Sequence, residues 1–316
     1  MILKGWQQDL WAVVRGFTRE DIPESLLELS GETKTVKLQI LHWVFESQVP
    51  SSITCIIGSE SVHVCFYHFF FALQPLDLYV LGYSITHSSC DWKLVLLGCN
   101  LESFETFLNI LNLQQNQFLL PTNRQIKQLV LWWSDPTALH LLVTSIPQMP
   151  VFHKLTHLSM CCSNLTSELC NHLCEHTDLL QDLLYLDLYS NSIGRGGAVN
   201  LITFLTKYGT IRELNLMNTG IGFEDCKALS GLLASSKYIQ VLSIGCNGFS
   251  PNSIQLIIDG FSENNSLERL VTNHSNFSSE NVLSLASVLR VNTMLKEMDI
   301  GQCNIQSSDS AHPAMH

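Results

Sequence analysis

Leu183–Ile193 reads LLYLDLYSNSI, and its apolar residues fit neither regular element. Leu183, Leu186, Leu188 and Ile193 stand at offsets 0, 3, 5 and 10, with Asn191 at offset 8. A helix wants offsets 3, 4 and 7, and a strand wants strict alternation. The same string recurs 28 residues earlier as LTHLSMCCSNL from Leu155. It recurs 28 residues later as IRELNLMNTGI from Ile211, then as IQVLSIGCNGF from Ile239, LERLVTNHSNF from Leu267 and LKEMDIGQCNI from Leu295. Two looser copies precede these, IKQLVLWWSDP from Ile126 and DWKLVLLGCNL from Asp91. In the latter the first apolar slot is lost.

Each unit resembles a leucine-rich repeat of the ribonuclease-inhibitor type, L-x-x-L-x-L-x-x-(N/C)-x-L followed by a helix. Offsets 3 and 5 alternate as in a short strand with one face buried. The chain then turns, and the residue at offset 8 must satisfy backbone groups that the turn leaves unpaired. Cys99, Ser134, Ser163, Asn191, Thr219, Asn247, Ser275 and Cys303 hold that slot, all small and polar or thiol-bearing. In the second half, Cys170, Ala198, Cys226, Ile254 and Val282 share offset 15. Leu173, Leu201, Leu229, Ile257 and Leu285 share offset 18, and offsets 21 and 22 are mostly apolar, as at Phe204, Leu205, Val288 and Leu289. This stripe is helical and should face the strand layer. The expected fold class is α/β, a leucine-rich-repeat solenoid shaped as a ribonuclease-inhibitor-like horseshoe. Parallel strands lie inside, helices outside, and a short helical region precedes them. Residues 1–60 are read as helical, 61–90 as a lead-in segment and first helix, 91–305 as repeats, and 306–316 as a disordered tail.

Composition narrows the function. A formal net charge of −11, with 17 Lys and Arg that never cluster, argues against a nucleic-acid binder. Eleven cysteines, many at core offsets, suggest reduced thiols in a cytoplasmic protein. Gln7, Gln8 and Asp9 interrupt any signal-peptide core, and Val62–Leu73 is too short and too rich in histidine to span a bilayer. The sequons at Asn164, Asn264, Asn273 and Asn276 are what polar turns produce readily.

The strings LHWVFESQ (Leu41–Gln48), PLDLYVLGYSI (Pro75–Ile85) and WKLVLLGCNL (Trp92–Leu101) lead in that order into the repeats. They resemble the junction of NOD-like receptors, in which an ATP-binding NACHT module and a winged helix precede a helical domain and the repeats. The resemblance implies the carboxy-terminal part of such a receptor, or a truncated form of one. No G-x-x-x-x-G-K-[ST] loop and no Gly-Lys pair exist here, so no nucleotide-binding residue carries over and no cofactor is expected. By resemblance, the repeats would sense a protein or microbial ligand and hold a NACHT module inactive.

Catalysis and metal binding find little support. Cys170, His172, Cys174 and His176 carry zinc-ligand chemistry, but alternate helical residues face opposite sides. No nucleophile elbow or H-E-x-x-H appears, and no enzyme activity is expected. Recognition should fall on the inner strand face, where offsets 2, 4 and 6 point away from the helices. Those positions include Gln128, Val130 and Trp132, then His157, Ser159 and Cys161. Tyr185, Asp187 and Tyr189 follow, then Glu213, Asn215 and Met217. Trp132, His157, Tyr185, Asp187, Tyr189, Glu213, Asn215 and Met217 are the candidate partner-binding residues, since rigid aromatics anchor interfaces. The same aromatics could instead cover strand edges or pack on another part of a parent receptor. A free-standing cytosolic scaffold, regulating a GTPase or actin for example, is the competing reading.

Overall fold

The computed structural model describes residues 62–67, 75–87, 92–97, 105–111, 126–132, 136–145, 149–175 and 180–306. The chain divides into two compact units, Met1–Leu155 and Thr156–His316. The helices expected within residues 1–60 lie outside the described residues.

In the first unit, β1 (Val62–Tyr67), β2 (Trp92–Leu97) and β3 (Ile126–Trp132) run parallel. Helix α1 (Pro75–His87) follows β1, residues 105–111 form α2 after β2, and α3 (Pro136–Ser145) follows β3. A three-residue 3-10 turn, Pro150–Phe152, closes the unit. Strand β1 lies within the segment read from sequence as a lead-in. It makes α1 the helical half of a complete coil, as the sequence suggested. Between β1 and β2 the partners are spaced more widely than in the later repeats, with Val62 beside Trp92 and Tyr67 beside Leu97. Between β2 and β3 the register shifts at Trp92, which pairs with Ile126 while Lys93 pairs with Gln128. That irregularity corrects the loss of the first apolar slot in this repeat. Trp92, one residue late in sequence, is drawn into the column of Ile126 and is fully buried. Leu81 and Ile85 of α1, Leu94, Leu129, Leu131, Leu111 and Leu139 are buried with it. Ser84 is buried among them because its hydroxyl donates to the Val80 carbonyl at 2.8 Å.

The second unit keeps strict time. Strands β4 (His157–Cys161), β5 (Tyr185–Asp187), β6 (Glu213–Asn215), β7 (Val241–Ser243), β8 (Arg269–Val271) and β10 (Glu297–Asp299) pair in parallel, each residue beside its equivalent in the next repeat. The helices are α4 (Ser167–Glu175), α5 (Val199–Tyr208), α6 (Phe223–Ser235), α7 (Pro251–Ser262) and α8 (Ser279–Leu289). A second short ladder joins β9 (Asn276–Ser278) to β11 (Asn304–Gln306). Gln306, assigned to the tail from sequence, therefore ends a strand; residues 307–316 lie outside the described residues. Leu158, Leu186, Leu214, Leu242 and Leu270 at offset 3 are buried, as are the residues at offset 5 in the same coils. The fold is thus a leucine-rich-repeat solenoid of parallel strands and helices.

After each strand the chain turns through a left-handed residue at offset 7. Cys162, Ser190, Asn218, Cys246, His274 and Gln302 all have φ between 51° and 58°. That region costs a non-glycine residue about 1–2 kcal/mol. It is recovered because the turn aims each N–H along the stack. Cys162 donates to Tyr189 O, Ser190 to Met217 O, Asn218 to Gly245 O, Cys246 to Asn273 O and His274 to Gly301 O, at 2.9–3.1 Å.

Offset 8 behaves as expected. Asn191 accepts from the N–H of Ser163 (3.1 Å) and of Leu165 (2.9 Å), and its amide donates to Met160 O and Leu188 O. Asn247 repeats this on Thr219 N and Gly220 N, Leu216 O and Ile244 O. Ser163 and Thr219, in the intervening coils, donate to carbonyls of their own coils, Cys161 and Leu216. An amide therefore alternates with a hydroxyl from coil to coil.

Asp225 is a buried carboxylate that joins two coils. It accepts from Gly222 N at the start of its own helix α6, and from Gly196 N and Ala198 N of the preceding coil, at 2.6–2.9 Å. Ala198, the cap position of α5, has no side-chain oxygen to satisfy that helix start. Gly197 cannot carry a side chain there, since a Cβ would strike the Ile193 carbonyl oxygen. Helices α7 and α8 cap themselves, through Ser250 and through a Ser278–Asn281 capping box. One expectation fails at α8. Val282 and Leu289, counted in the inward stripe, are exposed, although offset 15 is buried at Cys170, Ala198, Cys226 and Ile254. Among the described residues no helix follows α8 to cover that side.

Candidate protein-interaction surface

Alternation in the strands of the second unit leaves offsets 2 and 4 on the face opposite the buried leucines. The register stacks them into two columns. One runs His157, Tyr185, Glu213, Val241, Arg269, Glu297, and the other Ser159, Asp187, Asn215, Ser243, Val271, Asp299.

At the β4–β6 end the columns lock together. The rings of His157 and Tyr185 stack with centroids 5.7 Å apart and planes inclined by 25°. Thr156 Oγ1 lies 2.9 Å from His157 Nδ1 and fixes that ring. The phenol of Tyr185 donates to Asp187 Oδ2 at 3.1 Å, and Asp187 Oδ1 accepts the Tyr189 N–H at 3.0 Å. Burial first, and then the neighbouring Asp187 carboxylate, raise the Tyr185 phenol well above its usual 10.0. It stays a neutral hydrogen-bond donor at any physiological pH. The link from offset 4 to the N–H at offset 6 recurs in Asn215 to Met217 and in Asp299 to Gly301.

His157, Tyr185, Asp187 and Tyr189 are thus brought into one contiguous patch. Glu213 and Asn215 lie one strand further in register, and Met217 follows on the bond from Asn215. Tyr189 and Glu213 are exposed, and His157, Tyr185, Asp187, Asn215 and Met217 are half-buried. Trp132 ends β3 in the first unit, and its side chain lies outside the described residues. Ser159 and Cys161, which alternation alone would put on this surface, are buried and sit 3.2 Å apart, oxygen to sulfur. Burial pushes the Cys161 thiol up to about 12, so it remains protonated and a poor nucleophile at neutral pH.

Toward β10 the face changes character. A Cβ at Gly245 would overlap the Asn273 side chain, which fills that place. Asn273 also donates to Asp299 at 3.2 Å and receives the Cys246 thiol. Arg269 and Glu297 pair at 3.1 Å, leaving Val241 and Ser243 between two polar ends. Sequence reasoning missed the Asn273 insertion; the glycine at outward position 245, beside Asn273 in the next coil, was its signal.

The cysteine–histidine string on α4 is dispersed. Cys170 is fully buried, Cys174 donates its thiol to the Cys170 carbonyl, and His172 faces Glu175 at 3.2 Å. His176 lies outside the described residues. Of the sequons, Asn264 is buried, and its amide bonds Leu233 O, Ser236 O, Ser266 N and Leu267 N. It is closed to glycosylation. Among the described residues no helix is long and apolar enough to cross a membrane.

No protein-family profile matches the chain. Over 119 residues it is 31% identical to the ribonuclease inhibitor of Mus musculus, a match covering 37% of this chain and 26% of that protein. The chain therefore spans about a quarter of the length of that relative. Among solved structures, an internalin from Listeria monocytogenes str. 4b F2365 aligns over 82% of this chain and 84% of its own, at 15% identity and a TM-score of 0.36. A likeness that loose carries no argument.

Proposed function

We propose that this chain is a non-enzymatic protein-interaction module, and that the His157–Tyr185–Asp187–Tyr189 patch with Glu213, Asn215 and Met217 is its contact surface. The observation that carries the reading is the locked aromatic–carboxylate patch. His157 and Tyr185 are held at the surface by ring stacking and by the Tyr185–Asp187 bond, and Asp187 also anchors the Tyr189 backbone N–H, so binding costs little entropy at these two rings. Buried structural residues are not organised this way, since these rings stay partly open to solvent.

The junction strings that resemble NOD-like receptors make the parent protein a receptor of that family. In it the repeats sense a protein or microbial ligand and restrain a NACHT module in the cytoplasm. Such restraint requires the ligand to favour the released state over the restrained one. The cysteines described are all free, which suits a reducing compartment. The test is a pull-down of residues 1–316 with a separately expressed NACHT module at micromolar concentration, using the wild type and a Tyr185→Ala/Tyr189→Ala/Met217→Ala variant. Association that the variant loses, with an unchanged melting temperature, supports the reading; no association rejects the receptor.

The similarity to ribonuclease inhibitor favours one alternative, a free-standing scaffold using the same patch. In that case the triple variant loses a partner captured from cytosol, while the NACHT module binds neither form.

A further inference from the structure

Asn247–Gly248 is the single Asn–Gly pair in the chain. In such a pair no side chain on the second residue screens the asparagine Cγ from the backbone nitrogen that can attack it. The reaction balances with water alone. Gly248 N bonds to Asn247 Cγ, its proton leaves with the side-chain nitrogen as ammonia, and a five-membered imide closes. Water then opens the ring at either carbonyl, leaving aspartate or isoaspartate where asparagine stood.

In the folded chain that attack is blocked. Asn247 Oδ1 accepts from Thr219 N at 2.9 Å and Gly220 N at 2.8 Å. Its Nδ2 donates to the Leu216, Ile244 and Gly245 carbonyls at 2.8–3.2 Å. The carboxamide is thus clamped between the coils that begin at Ile211 and Ile239 and cannot turn toward its own backbone. The nitrogen that must leave faces only acceptors in these bonds, and none of them supplies the proton that ammonia needs. Asn191 makes a similar set of bonds, but Ser192 follows it, and that side chain hinders the attack.

The product does not fit the place it came from. Aspartate keeps the bonds to Thr219 and Gly220 but sets a second carboxylate oxygen against the Leu216 and Ile244 carbonyls. Isoaspartate adds a methylene to the main chain just ahead of Gly248, and Phe249, which follows, is 2% exposed. We propose that Asn247 is a gated modification site, closed to deamidation while these two coils stack, modified when they part, and unable to restore the joint afterwards. The chain then carries a permanent mark of having opened. The gate stands whether or not the neighbouring strand face binds a partner.

The test follows residue 247 by peptide mass spectrometry in the whole chain, held in mildly alkaline buffer beside a peptide of residues 239–253. The folded chain should convert at least about tenfold more slowly than the peptide, since conversion needs local opening. Urea below the unfolding midpoint should bring the rate toward that of the peptide, and so should Leu242→Ala, which hollows the coil at a fully buried place. The urea arm decides alone if that variant does not fold. Asn247→Asp, made directly, should lower the melting temperature and speed amide exchange at Leu216 and Asn218, whose N–H groups bond Ser243 O and Gly245 O across this joint. Exchange at Ile244 and Cys246, which bond Val271 O and Asn273 O of the next coil, should change less. Equal rates in folded chain and peptide overturn the proposal, as does conversion of Asn252 before Asn247 in the peptide. It is overturned too if Asn247→Asp leaves melting temperature and exchange unchanged.

Discussion

Asn191 closes four hydrogen bonds with one side chain, three of them to the preceding coil. Asn191→Ala removes all four at a buried place, so a loss of at least about 3 kcal/mol is expected in urea denaturation. The opposite experiment is available at Cys303. Its thiol reaches the Thr272 carbonyl at 3.5 Å, as Asn191 reaches Met160, but sulfur bonds the neighbouring backbone more weakly than a carboxamide, and Ser275 Oγ is buried without a partner. Cys303→Asn should raise stability by about 1 kcal/mol, read as a shift of the urea midpoint. The thiols of Cys170 and Cys226 are raised from 9.0 to about 12, first by burial, with Cys174 adding at Cys170 and the Asp225 carboxylate adding at both. Folded protein therefore holds these protons more tightly than unfolded chain does. The stability they contribute is complete below pH 9 and is lost as the pH climbs toward 12. Denaturation midpoints should fall across that window, and the fall should flatten in a Cys170→Ala/Cys226→Ala variant. The role of offset 8 was legible because its occupants share one chemistry. The left-handed turn at offset 7 was not, because Cys, Ser, Asn, Cys, His and Gln share none; the hydrogen bonds on either side impose it.

Helix α5 starts without a cap of its own and borrows one from α6. Asp225→Ala leaves Gly196, Ala198 and Gly222 N–H groups unmet, and a loss of about 2–4 kcal/mol is expected. Hydrogen exchange at Gly196 and Ala198 should rise far more than at Ser253 of α7, whose start is capped by Ser250. A merely local role for Asp225 within α6 would leave the 194–198 loop protected. Sequence could not reveal this exchange of groups, because offset 14 holds Leu169, Gly197, Asp225, Ser253 and Asn281 in turn. Strand β2 was obscure for a different reason. The apolar residue it needs, Trp92, stands one position out of phase, and only a shift of register brings it to the core. Ser159 and Cys161 were misread as surface because alternation describes direction, whereas their depth depends on what lies over them.

In the second unit each coil's strand pairs only with its neighbours, so energetic coupling should decay with coil number. Leu186, Leu214 and Leu270 occupy the same buried column. The effects of Leu186→Ala and Leu270→Ala, three coils apart, should add to within about 0.5 kcal/mol, whereas Leu186→Ala with Leu214→Ala should not add. Additivity of the adjacent pair would deny the shared core. At this scale the fold was the most legible property, since one fixed period is printed in the sequence from Leu155 on. The first unit was less so, because its wider spacing between β1 and β2 and its shifted register at Trp92 break that period. Which residues share that strand face could be counted off the repeat, but not how they are held: stacking, the Tyr185–Asp187 bond and the Asn273 insertion belong to geometry.

The alternation of amide and hydroxyl at offset 8 makes Ser163 with Asn191, and Thr219 with Asn247, the smallest self-sufficient pieces of this stack. A gene that lengthens or shortens such a protein by a pair of coils preserves every donor–acceptor match. Duplicating a single coil sets two carboxamides, or two alcohols, side by side. Within the coils from Ser163 to Asn247, viable length variants should therefore differ from this chain in even numbers of coils.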